Sequence, residues 1–265
     1  MKIHPTALVD PSAQLGPDVE IGPYAVLESG VKLGARSRVL AHAVLCWDAE
    51  IGEGCEIHMG AVVGHTPQDF SYKGQKTRAV LGNNVIVREH ATVHRSTREE
   101  SPTYVGDGCY LMAHSHVAHD CVLGPGVILA NGALLAGHVH IGERALVSGN
   151  VVIHQFTRIG KLAILSGGSR FGMDVPPFTV GDGTNSVSGL NKVGLRRAAD
   201  FTPQDREQLK EAFKILFRNG LELPAALEQL KKFESPAVKY WVEFFTQPSK
   251  RGHCRYRVVR QGDAD

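Results

Sequence analysis

From Ile3 onward an aliphatic residue recurs at every sixth position: IHPTAL, VDPSAQ, LGPDVE, IGPYAV and seven more hexads all begin with Ile, Val or Leu. The register breaks over residues 69–80 (DFSYKGQKTRAV) and resumes for three hexads from Leu81. It breaks again over 99–104 (EESPTY), then runs through eleven hexads from Val105 to Arg170. The fifth position is almost always small or β-branched, as in Ala7, Ala13, Val19, Ala25, Cys109, Ser115, Cys121, Val127 and Ala133. Neither the helical period of about 3.6 residues nor the two-residue alternation of a strand produces a repeat of six.

A prism with three short strands per coil does produce it, because one hexad then covers one face and one corner. Position one points inward, position five fills the space beside it, and Gly, Asn, Asp or Pro at positions two to four turn the corner. Stacked at about 4.8 Å, the hexads make roughly eight coils and a rod on the order of 40 Å long. The two breaks predict loops expelled from the prism, each a natural place for function.

After Arg170 the pattern decays, and from about residue 190 the period becomes helical. In TPQDREQLKEAFKILFRNG, Thr202 caps, Pro203 opens the first turn, Gly220 ends it, and Leu209, Ala212, Phe213, Leu216 and Phe217 form one apolar stripe. Shorter helices are expected near 224–232 and 236–246, followed by a loose tail, HCRYRVVRQGDAD. The expected division is a β domain over 1–186 and a helical domain over 187–265.

Composition narrows the class of protein. With 265 residues, 43% hydrophobic, 21% charged and net charge +2, the chain resembles an ordinary globular protein; its global charge argues for neither a nucleic-acid nor a membrane binder, and any anionic partner must be met by a local patch. MKIHPTALVD lacks an apolar signal core, and no run approaches the roughly 18 apolar residues of a membrane span. Five cysteines, without a CxxC pair, point to free thiols in a reducing compartment, so a cytoplasmic location is expected.

The chemistry concentrates in MAHSHVAHDC, residues 112–121. On the prism, residues eighteen apart share a column. His119, Gly137 and Gln155 therefore stack, Asp120 lies under His138, and His154 continues the column of Ala118 and Ala136. Expelling EESPTY also puts His94 below Ala118 and Arg95 below His119. A lone corner histidine is ordinarily a solvated side chain, but this many on one strip mark a site. One chemistry makes His119 a general base oriented by Asp120, with the backbone N–H of Gly137 as an oxyanion donor. The other uses the HxxxxH spacing of His114 and His119 to bind zinc, as in hexapeptide-repeat carbonic anhydrases.

The order of HVAHDC, NGALLAGHV, VIHQF, DVPPF and GLRR before a helical C-terminus resembles the UDP-N-acetylglucosamine O-acyltransferases of lipid A biosynthesis over nearly the whole chain. The resemblance implies a left-handed parallel β-helix, a homotrimer with sites between subunits, and transfer of a 3-hydroxyacyl group from acyl carrier protein to the sugar 3-hydroxyl. It makes His119 the base, Asp120 its orienting partner and Gly137 the oxyanion donor. It also assigns Gln68, Asp69, His116, His138, His154 and Gln155 to the sugar nucleotide, and Asn191 and Arg197 to the nucleotide portion. Gly167 aligns with the position that sets acyl length, where glycine goes with a longer chain. No metal or cofactor is implied beyond the carrier thioester as co-substrate.

Two positions depart from the family pattern: Val193 stands where a glutamate is usual and Ala198 where a second arginine is usual. A basic landing patch for the acidic carrier is expected among Arg158, Lys161, Arg170, Lys192, Arg196 and Arg197. The competing classes are a related N-acyltransferase, disfavoured because that enzyme begins with an extra nucleotide-binding domain whereas hexads here start at Ile3, and a non-enzymatic solenoid scaffold.

Overall fold

The computed structural model describes residues 1–257. Each hexad contributes a strand of two residues, its sixth position and the first of the next hexad, as in Lys2–Ile3 and Leu8–Val9. Pairing is parallel and eighteen residues apart where no loop intervenes, Lys2 with Glu20 and Ile3 with Ile21, so successive coils stack in register. Three sheets of 12, 9 and 8 strands form the faces of the prism. The inward row is fully buried through the middle of the rod, with Leu45, Ile57, Val63, Leu111, Leu129 and Val147 at 0% exposure. Each such side chain contributes about 1.5–3 kcal/mol by leaving water.

Position four of the hexad is the corner itself. Gly, Asn, Asp and His fill it as expected from their tolerance of positive φ, but so do Tyr24 (φ 57°), Phe156 (φ 66°) and Leu162 (φ 54°). From Asp18 onward, closure of the coil imposes the left-handed conformation on bulky residues too, at roughly 1–2 kcal/mol each. Position two shows a different constraint. At one corner Gly16, Gly34, Gly52, Gly82, Gly106, Gly124, Gly142 and Gly160 follow one another coil by coil. A Cβ on Gly52 would lie 2.4 Å from Gly82 O, and one on Gly160 would lie 2.2 Å from Pro177 N. The coils approach there backbone to backbone.

The two interruptions are loops, slightly offset from the expected limits. Ala79 pairs with Thr103, and Val80 with Glu50, so the last two residues of each break already belong to strands. The loops are therefore residues 66–78 and 95–102.

Outward positions change character along the rod. On the lower coils of one face Lys2, Glu20, Arg38 and Glu56 form a ladder of exposed ion pairs at 2.9–3.6 Å, screened by water and weak. Above them the same row reads Ile86, Tyr110, Ile128, Leu146 and Ile164.

After Arg170–Phe171 the strand Thr179–Asp182 stays on the prism, and Ser186–Leu190 pairs with it antiparallel across residue 187, the expected domain boundary. Four helices follow: α1 (Lys192–Arg197), α2 (Pro203–Phe217), α3 (Leu223–Leu230) and α4 (Pro236–Thr246). Thr202 caps α2 in a reciprocal capping box with Asp205. The buried stripe of α2 is Leu209, Ala212, Phe213 and Ile215, while Leu216 and Phe217 are half-buried. The expected loose tail is ordered where described: Cys254 is 3% exposed and Arg255–Tyr256 pairs with Ser186–Val187. Residues 258–265 of that expectation lie outside the described residues.

The glycine corner generates a test. Gly52→Ala should lower stability by about 1–3 kcal/mol, whereas Gly189→Ala, whose added Cβ meets nothing within 4 Å, should leave the urea midpoint unchanged.

Candidate functional site

Coil stacking brings the predicted histidines together, and the expelled loops close over them. His119 is 4% and Asp120 7% exposed, and they meet through a 2.7 Å hydrogen bond between Nδ1 and Oδ2. Asp120 occupies a left-handed corner (φ 58°), as does His138 (φ 60°) on the coil above, whose Nε2 lies 3.6 Å from the same Oδ2. The His119 and His138 rings pack edge to face at 5.2 Å.

The second loop supplies a residue that the column arithmetic missed. Thr97 donates from Oγ1 to Asp120 Oδ2 at 2.7 Å and from its backbone N–H to Oδ1 at 3.2 Å. Thr103 anchors the aspartate from behind, its Oγ1 accepting from Asp120 N at 2.8 Å. Burial acts to raise the Asp120 pKa, but the hydrogen bonds from His119 and Thr97 and the nearby His138 prevail and hold it below the ordinary carboxylate value. An ionised Asp120 accepts from Nδ1–H of His119 and leaves Nε2 as the nitrogen that can take a proton. Across Nε2 stands Asp69 Oδ2 at 3.4 Å, carried there by the first loop.

Gly137 lies directly over the His119 ring, where a Cβ would come within 2.4 Å of Cε1. Its carbonyl accepts from Phe156 N at 3.2 Å, while its own N–H, at hexad position three, has no acceptor among the described residues. The repeat tolerates proline at this position, in Pro5, Pro11, Pro17, Pro23 and Pro125, because apart from Arg95 N at the loop exit no position-three N–H bonds the backbone of a neighbouring coil. The result is a free donor beside a buried base.

An open cavity of about 380 Å³ joins Gln68, His116, His119, Gly137 and Gln155 with the apolar side chains of Leu134 and Val152. His116 is held by Thr92 Oγ1 at 2.7 Å, and His94 packs against it edge to face. His154 lies exposed above. Arg95 does not join the strip: its guanidinium turns to the coil beneath, donating to Gly64 O at 2.8 Å and to Trp47 O, and leaves Thr97 to complete the site.

His114 sits at another corner, stacked on His90 at 5.3 Å, and so cannot share a metal with His119 as the zinc reading required. One ligand atom each from His119, Asp120 and His138 lies within 4.8 Å of the others, a three-donor set, but His119 Nδ1 and Asp120 are already committed to each other.

Asn191 and Arg197 lie outside this cavity. Asn191 caps α1, its Oδ1 accepting from Gly194 N and its Nδ2 donating to Leu162 O, both at 2.8 Å. The expected basic patch is also reduced. Arg158 is tied to buried Asp174 at 2.7 Å and lies over Phe244, and Lys161 pairs with Glu143 and Asp200. Arg170, Lys192, Arg196 and Arg197 remain without a carboxylate partner among the described residues.

If Thr97 aligns Asp120 for His119, Thr97→Val should reduce turnover by roughly ten-fold with KM unchanged, and Thr97→Ser should restore it. A second outcome concerns pH. Burial, helped by His116, His65 and His119, lowers His94 to about 4, and burial likewise lowers His116 and His138. Between the unfolded value near 6.5 and about 4, the unfolded chain binds a proton that folded His94 refuses, so stability falls as pH falls through this window. The urea midpoint should drop between pH 7 and 4.5 by an amount equivalent to about 2–3 kcal/mol for His94, and His94→Gln should flatten the slope.

Comparison with known proteins agrees with this geometry. Residues 174–254 match the family model for UDP N-acetylglucosamine O-acyltransferase, domain 2, and residues 102–137 match the bacterial transferase hexapeptide model. An acyl-[acyl-carrier-protein]–UDP-N-acetylglucosamine O-acyltransferase from Thermodesulfovibrio yellowstonii is 43% identical over 96% of this chain and 99% of its own. A like-named protein of Syntrophobacter fumaroxidans is 41% identical over 96% and 100%. The solved UDP-N-acetylglucosamine acyltransferase from Campylobacter jejuni superposes with a TM-score of 0.90 at 38% identity, covering 97% of this chain and 100% of that one. With this identity spread along nearly its entire length, and with the prism wound as the left-handed β-helix of those structures, the chain belongs to the UDP-N-acetylglucosamine O-acyltransferase family.

Proposed function

We propose that this enzyme transfers a 3-hydroxyacyl group from the thioester of acyl carrier protein to the 3-hydroxyl of UDP-N-acetylglucosamine, the opening step of lipid A biosynthesis. The observation that carries the reading is the buried His119, bonded to Asp120 on one side and lying against Gly137, with its free N–H, on the other. His119 Nε2 takes the proton of the sugar hydroxyl as its oxygen attacks the thioester carbon. The carbonyl electrons move onto oxygen, which the Gly137 N–H stabilises, and collapse expels the thiolate, which recovers the proton from His119.

Gln68, Asp69, His116, His138, His154 and Gln155 hold the sugar nucleotide, and Arg197 meets its phosphate or base end. Asn191 acts through the helix it caps, which carries Arg197. Gly167 suits a role in acyl length. Its φ is ordinary and an added Cβ would meet only Gly149 O at 3.4 Å, so the fold itself does not demand glycine there. A long acyl chain gains the space.

The active form in this reading is a homotrimer. The outward apolar row from Ile86 to Ile164, on a face that is charged below, supports burial against another subunit, and a cleft between subunits would bring Arg197 toward the cavity. The carrier docks near Arg170, Lys192, Arg196 and Arg197. A cytoplasmic setting is supported by five buried free thiols; among the described residues no helix is long and apolar enough to cross a membrane.

The test is acyl transfer from 3-hydroxyacyl carrier protein to UDP-N-acetylglucosamine, wild type beside His119→Ala, each with and without EDTA. Transfer should survive EDTA and fall on the order of a thousand-fold in the variant. No transfer by wild type, with zinc in the purified protein, would overturn both the substrate assignment and the metal-free mechanism.

A further inference from the structure

One edge of the histidine strip carries charge that the acyl-transfer chemistry does not use. After α4 the chain returns to the rod: Arg251 Nε donates to Gly172 O at 2.9 Å and Asp174 N to Gly252 O at 2.8 Å. This return places Lys250 Nζ 4.3 Å from the centroid of the Phe156 ring. Phe156 in turn stacks on His138 at 4.6 Å, with the ring planes 9° apart. From the second loop comes Arg98, exposed and next in sequence to the Thr97 that grips Asp120.

Two cations from separate elements thus converge on His138. Neither forms an ion pair with a carboxylate among the described residues, and the neighbouring Glu99 is turned away to accept from Lys76 N at 3.3 Å. The convergence is electrostatically felt: burial lowers the His138 pKa first, Asp120 opposes it, and His119, Arg98 and Lys250 add to the lowering. Asp120 answers His138 and His119, while Arg98 and Lys250 have no carboxylate of their own. An ammonium held over an aromatic face keeps its charge and its outward N–H donors, and an exposed guanidinium within electrostatic reach of the same imidazole offers the planar fork that suits phosphate oxygens.

We propose that Arg98 and Lys250 form a phosphate subsite beside His138, the residue after the cavity-lining Gly137, gripping a phosphate of one of the two substrates. The source is either the diphosphate of the sugar nucleotide or the phosphodiester of the carrier's phosphopantetheine arm. This assignment rests on the acyl transfer proposed above for the identity of the ligand, but not for the existence of the anion site. Periodicity does not reveal the pair: Arg98 closes a hexad whose course the chain leaves after His94, and Lys250 lies beyond the last helix.

The experiment compares wild type with Lys250→Met, Arg98→Gln and the double variant, using Lys239→Met on the outer surface of α4 as a control. Calorimetric titration with pyrophosphate and with 4′-phosphopantetheine at low salt should show binding by wild type and the control, weakened at least ten-fold in the double variant. In steady-state transfer the double variant should keep kcat and raise one KM by about ten-fold. A rise for UDP-N-acetylglucosamine identifies the diphosphate. A rise for acyl-phosphopantetheine without one for acyl-pantetheine identifies the carrier arm.

Unchanged anion binding in a folded double variant, or equal weakening by Lys239→Met, would overturn the subsite. If wild type binds pyrophosphate or phosphopantetheine in an Arg98- and Lys250-dependent way yet transfers no acyl group, the subsite stands and the acyl-transfer reading falls.

Discussion

Closure of the backbone in eighteen residues around an inward aliphatic row is the constraint on which everything else in this molecule depends. From Asp18 onward it takes the corners of the prism through the left-handed region, and it obliges one corner to dispense with side chains at position two, where Gly52 meets Gly82 backbone to backbone. It also converts distance along the chain into height along the rod. Residues far apart in sequence, such as His119, Gly137 and Gln155, become neighbours at the strand spacing of about 4.8 Å.

The site exploits this ruler and then adds what the ruler cannot supply. Coil stacking delivers His119, Asp120, His138 and the unbonded N–H of Gly137, all from rigid backbone. The two expelled loops deliver the groups that finish the site: Asp69 across Nε2 of His119, and Thr97 on the carboxylate of Asp120. The division is physical. Positions on the prism are held by hydrogen bonds to the coils above and below, whereas a loop can bring a side chain to the open side of the base without disturbing the stack.

Legibility in the sequence followed the same division. The prism, the insertion of both loops, the helix capped by Thr202 and the column of His119, Gly137 and Gln155 could be read from periodicity, because inward burial forces the same residue class at every sixth position. Arg95 was misplaced onto the strip, since column arithmetic specifies where a Cα lies but not which way a long side chain turns; two carbonyls beneath claimed its guanidinium. Thr97 was hidden for a related reason: the register runs on through Arg98 and makes it an inner fifth position, whereas the chain leaves the prism after His94 and turns it onto Asp120. The segment around Cys254 read as a tail because its strand Arg255–Tyr256 is too short to show a pattern, and its order comes from pairing with Ser186–Val187. The feature that explains the free donor at Gly137 was present in the sequence as the prolines at position three, each marking an N–H that the coil does not need.

The left-handed corners have a further implication for how such a protein can change. Asp120, His138 and Phe156 all occupy backbone conformations that glycine or asparagine would adopt with less strain. Mutational drift toward greater robustness at these three corners therefore points away from the residues that line the site, and the chemistry persists only under selection for it. A hexapeptide solenoid that lost its substrate would be expected to keep its aliphatic row and its glycine column while its histidine corners relaxed to Gly and Asn. The corner residues, more than the core, record whether such a rod is still an enzyme.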